Sequence, residues 1–264
     1  MDLGIKGEQA LVVGASEGIG YESAKALLEE GAEVLICSRN PDKLKQAAAR
    51  LELACGRAVR WFAADVTRAQ DVVALHAWLA QHVPRLDILV SAVGGSQRAL
   101  FEELDDAAWY ANYEFNVMGT VRVIRAALEL LKKSVTGGRI VILGAAGPRM
   151  PYPHQLVSNV HKAGLIALVK TLGVEFQPYN IRVNSVSPGR TMTALWTTRI
   201  ERLSAERGVP PEEIVREFAQ EIPLGRFGEP GEIAPMVAFL ASHKTSYVTC
   251  QSILVDGGIA RGLI

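Results

Sequence analysis

The chain is poor in cysteine, carries no net charge and contains no long apolar run. Each shortage removes a class of function. Three cysteines, Cys37, Cys55 and Cys250, occur in 264 residues, and their spacing matches no metal or redox motif. Their odd number argues against a disulfide framework. Basic and acidic residues both total 28, so no global field draws the chain to nucleic acid or to a membrane surface. No apolar stretch approaches the roughly 20 residues of a membrane span. The segment from Met1 to Lys6 leads straight into the first apolar run and leaves no room for a signal peptide. Linkers, internal repeats and low-complexity tracts are also missing. The expectation is a single cytoplasmic domain over residues 1–264. A chain of this length buries roughly three quarters of its unfolded surface.

What is present is an alternation of short apolar runs and amphipathic stretches. Strands are expected over 10–13, 33–37, 58–63, 86–90, 139–143, 181–186 and 252–255. Helices are expected over 21–30, 42–53, 105–133 and 153–176, with one more N-capped by Thr67. This order implies right-handed βαβ crossovers and an α/β fold. The fold is a doubly wound, parallel, seven-stranded, Rossmann-like sheet with helices on both faces. Ligands in such sheets bind beyond the carboxyl ends of the strands, where the strand order reverses. Residues 194–223 form a long insertion before the last strand, with two amphipathic pieces parted by Pro210 and Pro211. Such a segment serves either as extra core packing or as a lid over a substrate cleft.

The stretch Gly14-Ala15-Ser16-Glu17-Gly18-Ile19-Gly20 sits between the first strand and the first helix. A helix N-terminus there offers free N–H groups and a positive dipole end to a pyrophosphate. The spacing Gly-x3-Gly-x-Gly is also compatible with a tight turn that binds nothing. Further along stand Asp65-Val66, Asn116-Val117-Met118-Gly119, Pro188-Gly189 with Thr191 and Thr193, and Asp256-Gly257-Gly258.

Together these motifs resemble the short-chain dehydrogenase/reductase family over essentially the whole chain. The resemblance implies a pyrophosphate cradle at Gly14, Ser16, Gly18, Ile19 and Gly20. It implies adenine contacts from Asp65 and Val66, and nicotinamide and phosphate contacts from Thr191 and Thr193 beside Pro188 and Gly189. Lys162 would bind the nicotinamide ribose, and Asn116 would kink its helix and serve a proton relay. The family turn Asn-Asn-Ala-Gly reads Ser91-Ala92-Val93-Gly94 here, which loosens the expected adenine-ribose contacts of Ala92 and Gly94.

The departure at the catalytic positions is larger. The family pattern Tyr-x3-Lys, with a Ser thirteen residues before the Tyr, maps onto Ser158, Lys162 and Ala145. Hydride transfer to a carbonyl needs a proton donor beside the developing alkoxide. A phenol starts at a pKa of about 10 and a neighbouring ammonium lowers it. A serine hydroxyl is a far weaker acid. Tyr152 and His154, just upstream of Ser158, are the substitute donors to weigh, against the alternative that both merely line the pocket or the surface. Two functions stay open: an NAD(P)(H)-dependent oxidoreductase with an atypical proton donor, or an inert subunit that pairs with an active homologue.

Cofactor choice follows from the end of the second strand. A carboxylate there would bind the ribose 2′-OH of NAD. Ser38-Arg39 stands there instead, and a guanidinium suits a 2′-phosphate. Glu17 opposes that phosphate, and the balance favours NADP(H) over NAD(H). The 153–176 helix is apolar on two sides, one through Leu165, Leu168, Leu172 and Phe176, the other through Val160, Ala163, Ala167 and Val174. The resemblance implies that the second side meets another subunit in a homodimer, a homotetramer or a mixed oligomer. The substrate is expected to be a small molecule; no metal site is expected.

Overall fold

The computed structural model of the chain describes residues 1–262. Seven strands, β1 (Gln9–Val13), β2 (Glu33–Ser38), β3 (Arg60–Ala63), β4 (Ile88–Ser91), β5 (Gly138–Leu143), β6 (Ile181–Pro188) and β7 (Ser252–Val255), form one parallel sheet. The spatial order is β3-β2-β1-β4-β5-β6-β7. The chain therefore winds outward from β1, crosses back to β4 and winds outward the other way. The reversal between β1 and β4 opens the crevice that doubly wound sheets use for ligands.

Successive side chains of a strand face opposite sides of the sheet, and both faces here are apolar. Ala10, Val12, Val34 and Ile36 pack under α1 (Gly18–Glu29), α2 (Pro41–Cys55) and α9 (Pro230–Leu240). Leu11, Val13, Leu35 and Leu89 pack under α3 (Ala69–His82), α5 (Gly119–Leu131) and α6 (Leu156–Glu175). Each buried Leu or Ile contributes about 1.5–3 kcal/mol, which is why such runs read as strands. Among the described residues no helix is long and apolar enough to cross a membrane.

Several expected boundaries move. The first helix opens at Gly18, so the last glycines of the loop already belong to it. Arg68, not Thr67, is the N-cap residue of α3; the Thr67 hydroxyl is taken by Asp65 Oδ1 at 2.7 Å. The edge strand β3 starts at Arg60, where its pairing with Leu35 of β2 begins. The expected 105–133 helix divides into α4 (Asp106–Tyr113), a π-helical turn (Glu114–Met118) and α5. The expected 153–176 helix begins only at Leu156, because His154 sits at φ +65°, a conformation that cannot continue a helix. The 194–223 insertion holds α7 (Ala194–Arg207) and α8 (Pro211–Ala219). Along α6, Leu165 and Phe176 are buried, whereas Val160, Ala163, Ala167 and Val174 are exposed.

Candidate active site

The start of the β1–α1 loop is fastened to the end of β2 through its backbone. Gly14 N–H and Ala15 N–H donate to the Cys37 carbonyl at 2.8 and 3.3 Å. Gly14 has φ +86°, and a Cβ there would lie 2.5 Å from the Ala92 carbonyl oxygen, so only glycine lets the β1 and β4 turns close on each other. Glu17, the N-cap residue of α1, provides no side-chain cap, which leaves the first-turn N–H groups open at the crevice. Its carboxylate pairs with Lys43 Nζ at 3.1 Å instead, so the acid expected to oppose a phosphate is met by a cation. Ser16 and Ser38 share a hydroxyl contact of 3.1 Å. Arg39 is exposed, with its guanidinium 5.7 Å from the Phe115 ring centroid and no carboxylate partner among the described residues. Burial works against the Asp65 carboxylate. The Thr67 hydroxyl and amide, with Arg39 and Arg68, outweigh it and hold its pKa below the ordinary carboxylate value.

Every residue expected to hold the cofactor lines one cleft of about 950 Å³. That is at the top of the range of roughly 300–1,000 Å³ for ligand sites. Ala145, Tyr152, Ser158 and Lys162 line it too; Asn116 and His154 do not.

Lys162 projects from α6 into the middle of this cleft, is buried, and donates from Nζ to the Leu143 carbonyl at 3.2 Å. No carboxylate pairs with it among the described residues, and burial pushes its pKa down to about 8. Gly94, at φ +136°, makes room for it: a Cβ there would lie 2.5 Å from Lys162 Nζ and 2.6 Å from Asn116 Oδ1. Fully buried Asn116 stands one layer behind. Its Oδ1 accepts from Gly95 N–H at 3.1 Å, and its Nδ2 donates to the Asn112 carbonyl and Oδ1, both at 3.1 Å. His161 Nδ1 lies 2.8 Å from the same Asn112 Oδ1, and burial keeps that imidazole below its usual pKa. The π turn is what brings Asn116 onto the 94–95 turn.

Ser158 is occupied. Its Oγ accepts from Gln97 N–H at 2.9 Å and faces the Gln97 carbonyl at 3.4 Å, so the hydroxyl ties α6 to the loop after β4. The Tyr152 hydroxyl points at Met150 Sδ, 3.9 Å away, and its ring lies 5.1 Å below the Arg190 guanidinium. Burial raises the phenol pKa and outweighs the opposing pull of Arg190. His154, weighed as a donor one turn before Ser158, instead lies outside the helix and is exposed.

Sequence reasoning missed Gln97, Asn112 and the arginines Arg98, Arg190, Arg199 and Arg202, and expected His161 to point away from Lys162; all of these line the site or back it. Only Arg190 left a signal, a charge directly after Pro188-Gly189 where the chain turns inward. The arginines of α7 look like an ordinary solvated helix face in the sequence.

A nucleotide-sized crevice at the switch point of a doubly wound sheet, opened by a glycine turn and a bare helix N-terminus, marks a dinucleotide-binding α/β protein. The chain belongs to the short-chain dehydrogenase/reductase family: residues 14–260 match the family model described as enoyl-(acyl carrier protein) reductase. It is 31% identical over 261 residues to a 2,3-dihydro-2,3-dihydroxybenzoate dehydrogenase of Bacillus subtilis, covering 98% of both chains. The L-sorbose reductase of Gluconobacter frateurii, solved with NADPH and L-sorbose, superposes with a TM-score of 0.95 at 31% identity over 100% of both chains. An NADPH-bound short-chain oxidoreductase of Pseudomonas aeruginosa PAO1, described as containing an atypical catalytic center, superposes with a TM-score of 0.89 at 30% identity over 97% of both.

Proposed function

We propose that this protein is an NADP(H)-dependent oxidoreductase acting on a carbonyl or alcohol substrate, with Lys162 supplying the proton that a tyrosine supplies elsewhere in the family. The cleft fits such a cofactor. The Gly14–Gly20 turn and the uncapped start of α1 suit a pyrophosphate, and Ser38 with the unpaired Arg39 suits a 2′-phosphate. NADPH in the solved complexes of similar chains supports the same choice. When bound, the nicotinamide supplies or accepts the hydride.

The observation that carries the proton assignment is Lys162 itself. Ala145 and Ser158 stand at the family's Ser and Tyr positions, and the Ser158 hydroxyl is spent on Gln97. Tyr152 titrates in the wrong direction for an acid. Lys162 is a buried ammonium with no counter-charge among the described residues, shifted to about 8, near the pH at which a general acid works best. Asn116 and the 94–95 turn hold it in place.

The test is the pH dependence of kcat for reduction of 2,3-butanedione by the parent, Tyr152→Phe and Ser158→Ala. All three should lose rate as pH rises through about 8 or somewhat above, since the cofactor phosphates favour the charged lysine. A descending limb that Tyr152→Phe removes would return the role to the phenol. A protein that binds NADPH but reduces nothing until Ala145→Ser and Ser158→Tyr are introduced would be an inert scaffold.

The α7–α8 insertion is read as a wall that can act as a lid. The exposed small and apolar side of α6 is read as the contact between subunits of a symmetric or mixed oligomer. A monomer in light scattering, alone and with any co-purifying homologue, would remove the oligomer reading.

A further inference from the structure

Four arginines line the cleft at one end: Arg98 in the loop after β4, Arg190 directly after β6, and Arg199 and Arg202 of α7. Two of them are neutralised. Arg190 donates to the Phe218 carbonyl and to Glu221 Oε2, the latter at 2.6 Å, and Arg202 lies 3.4 Å from Glu206. The other two are not. Among the described residues Arg98 makes one long hydrogen bond, 3.4 Å to the Pro153 carbonyl, and buried Arg199 Nε has no hydrogen-bond partner. Neither has a carboxylate within 4.0 Å among the described residues.

Arg199 is nevertheless fixed in orientation. Its guanidinium lies 4.5 Å from the ring centroids of both Trp196 and Phe218, rings only 5.3 Å apart that pack against it from one side and leave N–H groups to be used. Burial, then repulsion from Arg98, Arg190, Arg202 and Arg207, hold its pKa down to about 10. Arg98 is shifted the same way by burial, Arg190 and Arg202. These are the marks of cations gathered without their anion.

Besides the cleft that suits the cofactor, the two free arginines line a second space. Arg98 and Arg199 share a side recess of about 310 Å³ with Tyr152, Pro153, Trp196 and Phe218, and no residue of the glycine loop or of the Ser38–Arg39 mouth lines it. The recess is large enough for a compact organic group and walled by aromatic rings. Its one acid, Glu221, is taken by Arg190.

We propose that the substrate carries an oxyanion, a carboxylate or a phosphate, which Arg98 and Arg199 hold in this recess, off the cleft that Lys162 lines. The proposal rests on the oxidoreductase reading for the word substrate, but the anion site stands on its own residues. A guanidinium fork matches the paired oxygens of either group.

Calorimetric titration of the full-length protein tests this, with and without saturating NADP⁺. The probes are levulinate, methyl levulinate and inorganic phosphate. Levulinate or phosphate should bind in the presence of NADP⁺, and methyl levulinate should bind at least about tenfold more weakly than levulinate if the carboxylate is the ligand. Tight phosphate with weak levulinate assigns a phosphate. Arg98→Gln and Arg199→Gln should each lose about tenfold or more in anion affinity while keeping the parent affinity for NADP⁺. Should Arg199→Gln melt early, Arg98→Gln, on a loop, decides. A parent that binds neither anion, or variants that bind anions as the parent does, overturns the site. A protein that binds no NADP⁺ yet binds anions through Arg98 and Arg199 refutes the oxidoreductase reading and leaves the anion site standing.

Discussion

At the amino edge of the sheet, Glu8 pairs with Arg139, accepts from Thr136 at 2.7 Å and meets His243 Nε2 at 2.8 Å. Asp87, fully buried beside it, takes Arg85 Nε at 3.0 Å, Ser134 Oγ at 2.6 Å and the Gln9 amide at 2.9 Å. At the carboxyl edge, Lys162, Arg98 and Arg199 are buried or half-buried with no carboxylate among the described residues. Both edges carry ionised groups out of water. One supplies these partners from within the chain; the other leaves these three cations without a carboxylate. Paired groups hold the fold in register. Unpaired ones cost stability and persist where a ligand completes them.

The largest effect should come from rebuilding the family's acid at the unpaired edge. Ala145→Ser with Ser158→Tyr should raise carbonyl reduction by about 10²-fold, the low end of the general acid–base contribution because Lys162 already donates a proton, measured as NADPH consumption with 2,3-butanedione. A restored enzyme no faster than the parent, with cofactor affinity intact, would mean that the Ser158–Gln97 tie has closed the space the phenol needs. At the paired edge, Glu8→Gln leaves Arg139 without its counter-charge. It should cost about 3–5 kcal/mol in denaturant unfolding while NADPH affinity stays within error. Smaller again is Arg39→Ala, which should weaken NADPH by about tenfold and NADH hardly at all in fluorescence titrations. Equal losses for both cofactors would take the 2′-phosphate away from Arg39. Ser158→Ala should change turnover by no more than about twofold, since its hydroxyl serves the loop and not the reaction.

The paired edge and the cofactor end of the cleft differ in how they show in sequence. The glycine turn and Pro188-Gly189 involve close backbone approach, which restricts residue type at fixed spacing and so shows in the sequence. The apolar strands were equally plain, because both sheet faces are covered. The helix ends were not. Nothing in the 153–156 stretch foretells that His154 turns left-handed, and the π turn at Glu114–Met118, which sets Asn116 against the 94–95 turn, leaves no mark in the residue pattern. The arginine recess was invisible for a different reason. It assembles side chains from the β4 loop, the end of β6 and α7, and no local pattern links Arg98 to Arg199. The resting place of Ser158 on Gln97 required the fold.

The account stands on Lys162 being kept charged and unpaired at a cost to the fold. Its pKa of about 8 lies below the ordinary lysine value, so the charged form is disfavoured on folding. By linkage the penalty is present in full below about pH 8 and fades as pH rises toward the unfolded value. The direct measurement is the thermal midpoint of Lys162→Met against the parent, across pH, alongside turnover. The expected result is a variant that no longer reduces 2,3-butanedione, melts at or above the parent near neutral pH, and loses that advantage as pH rises toward about 10. A Lys162→Met protein that melts well below the parent at every pH, as Glu8→Gln should, would make the lysine a structural group and contradict the account.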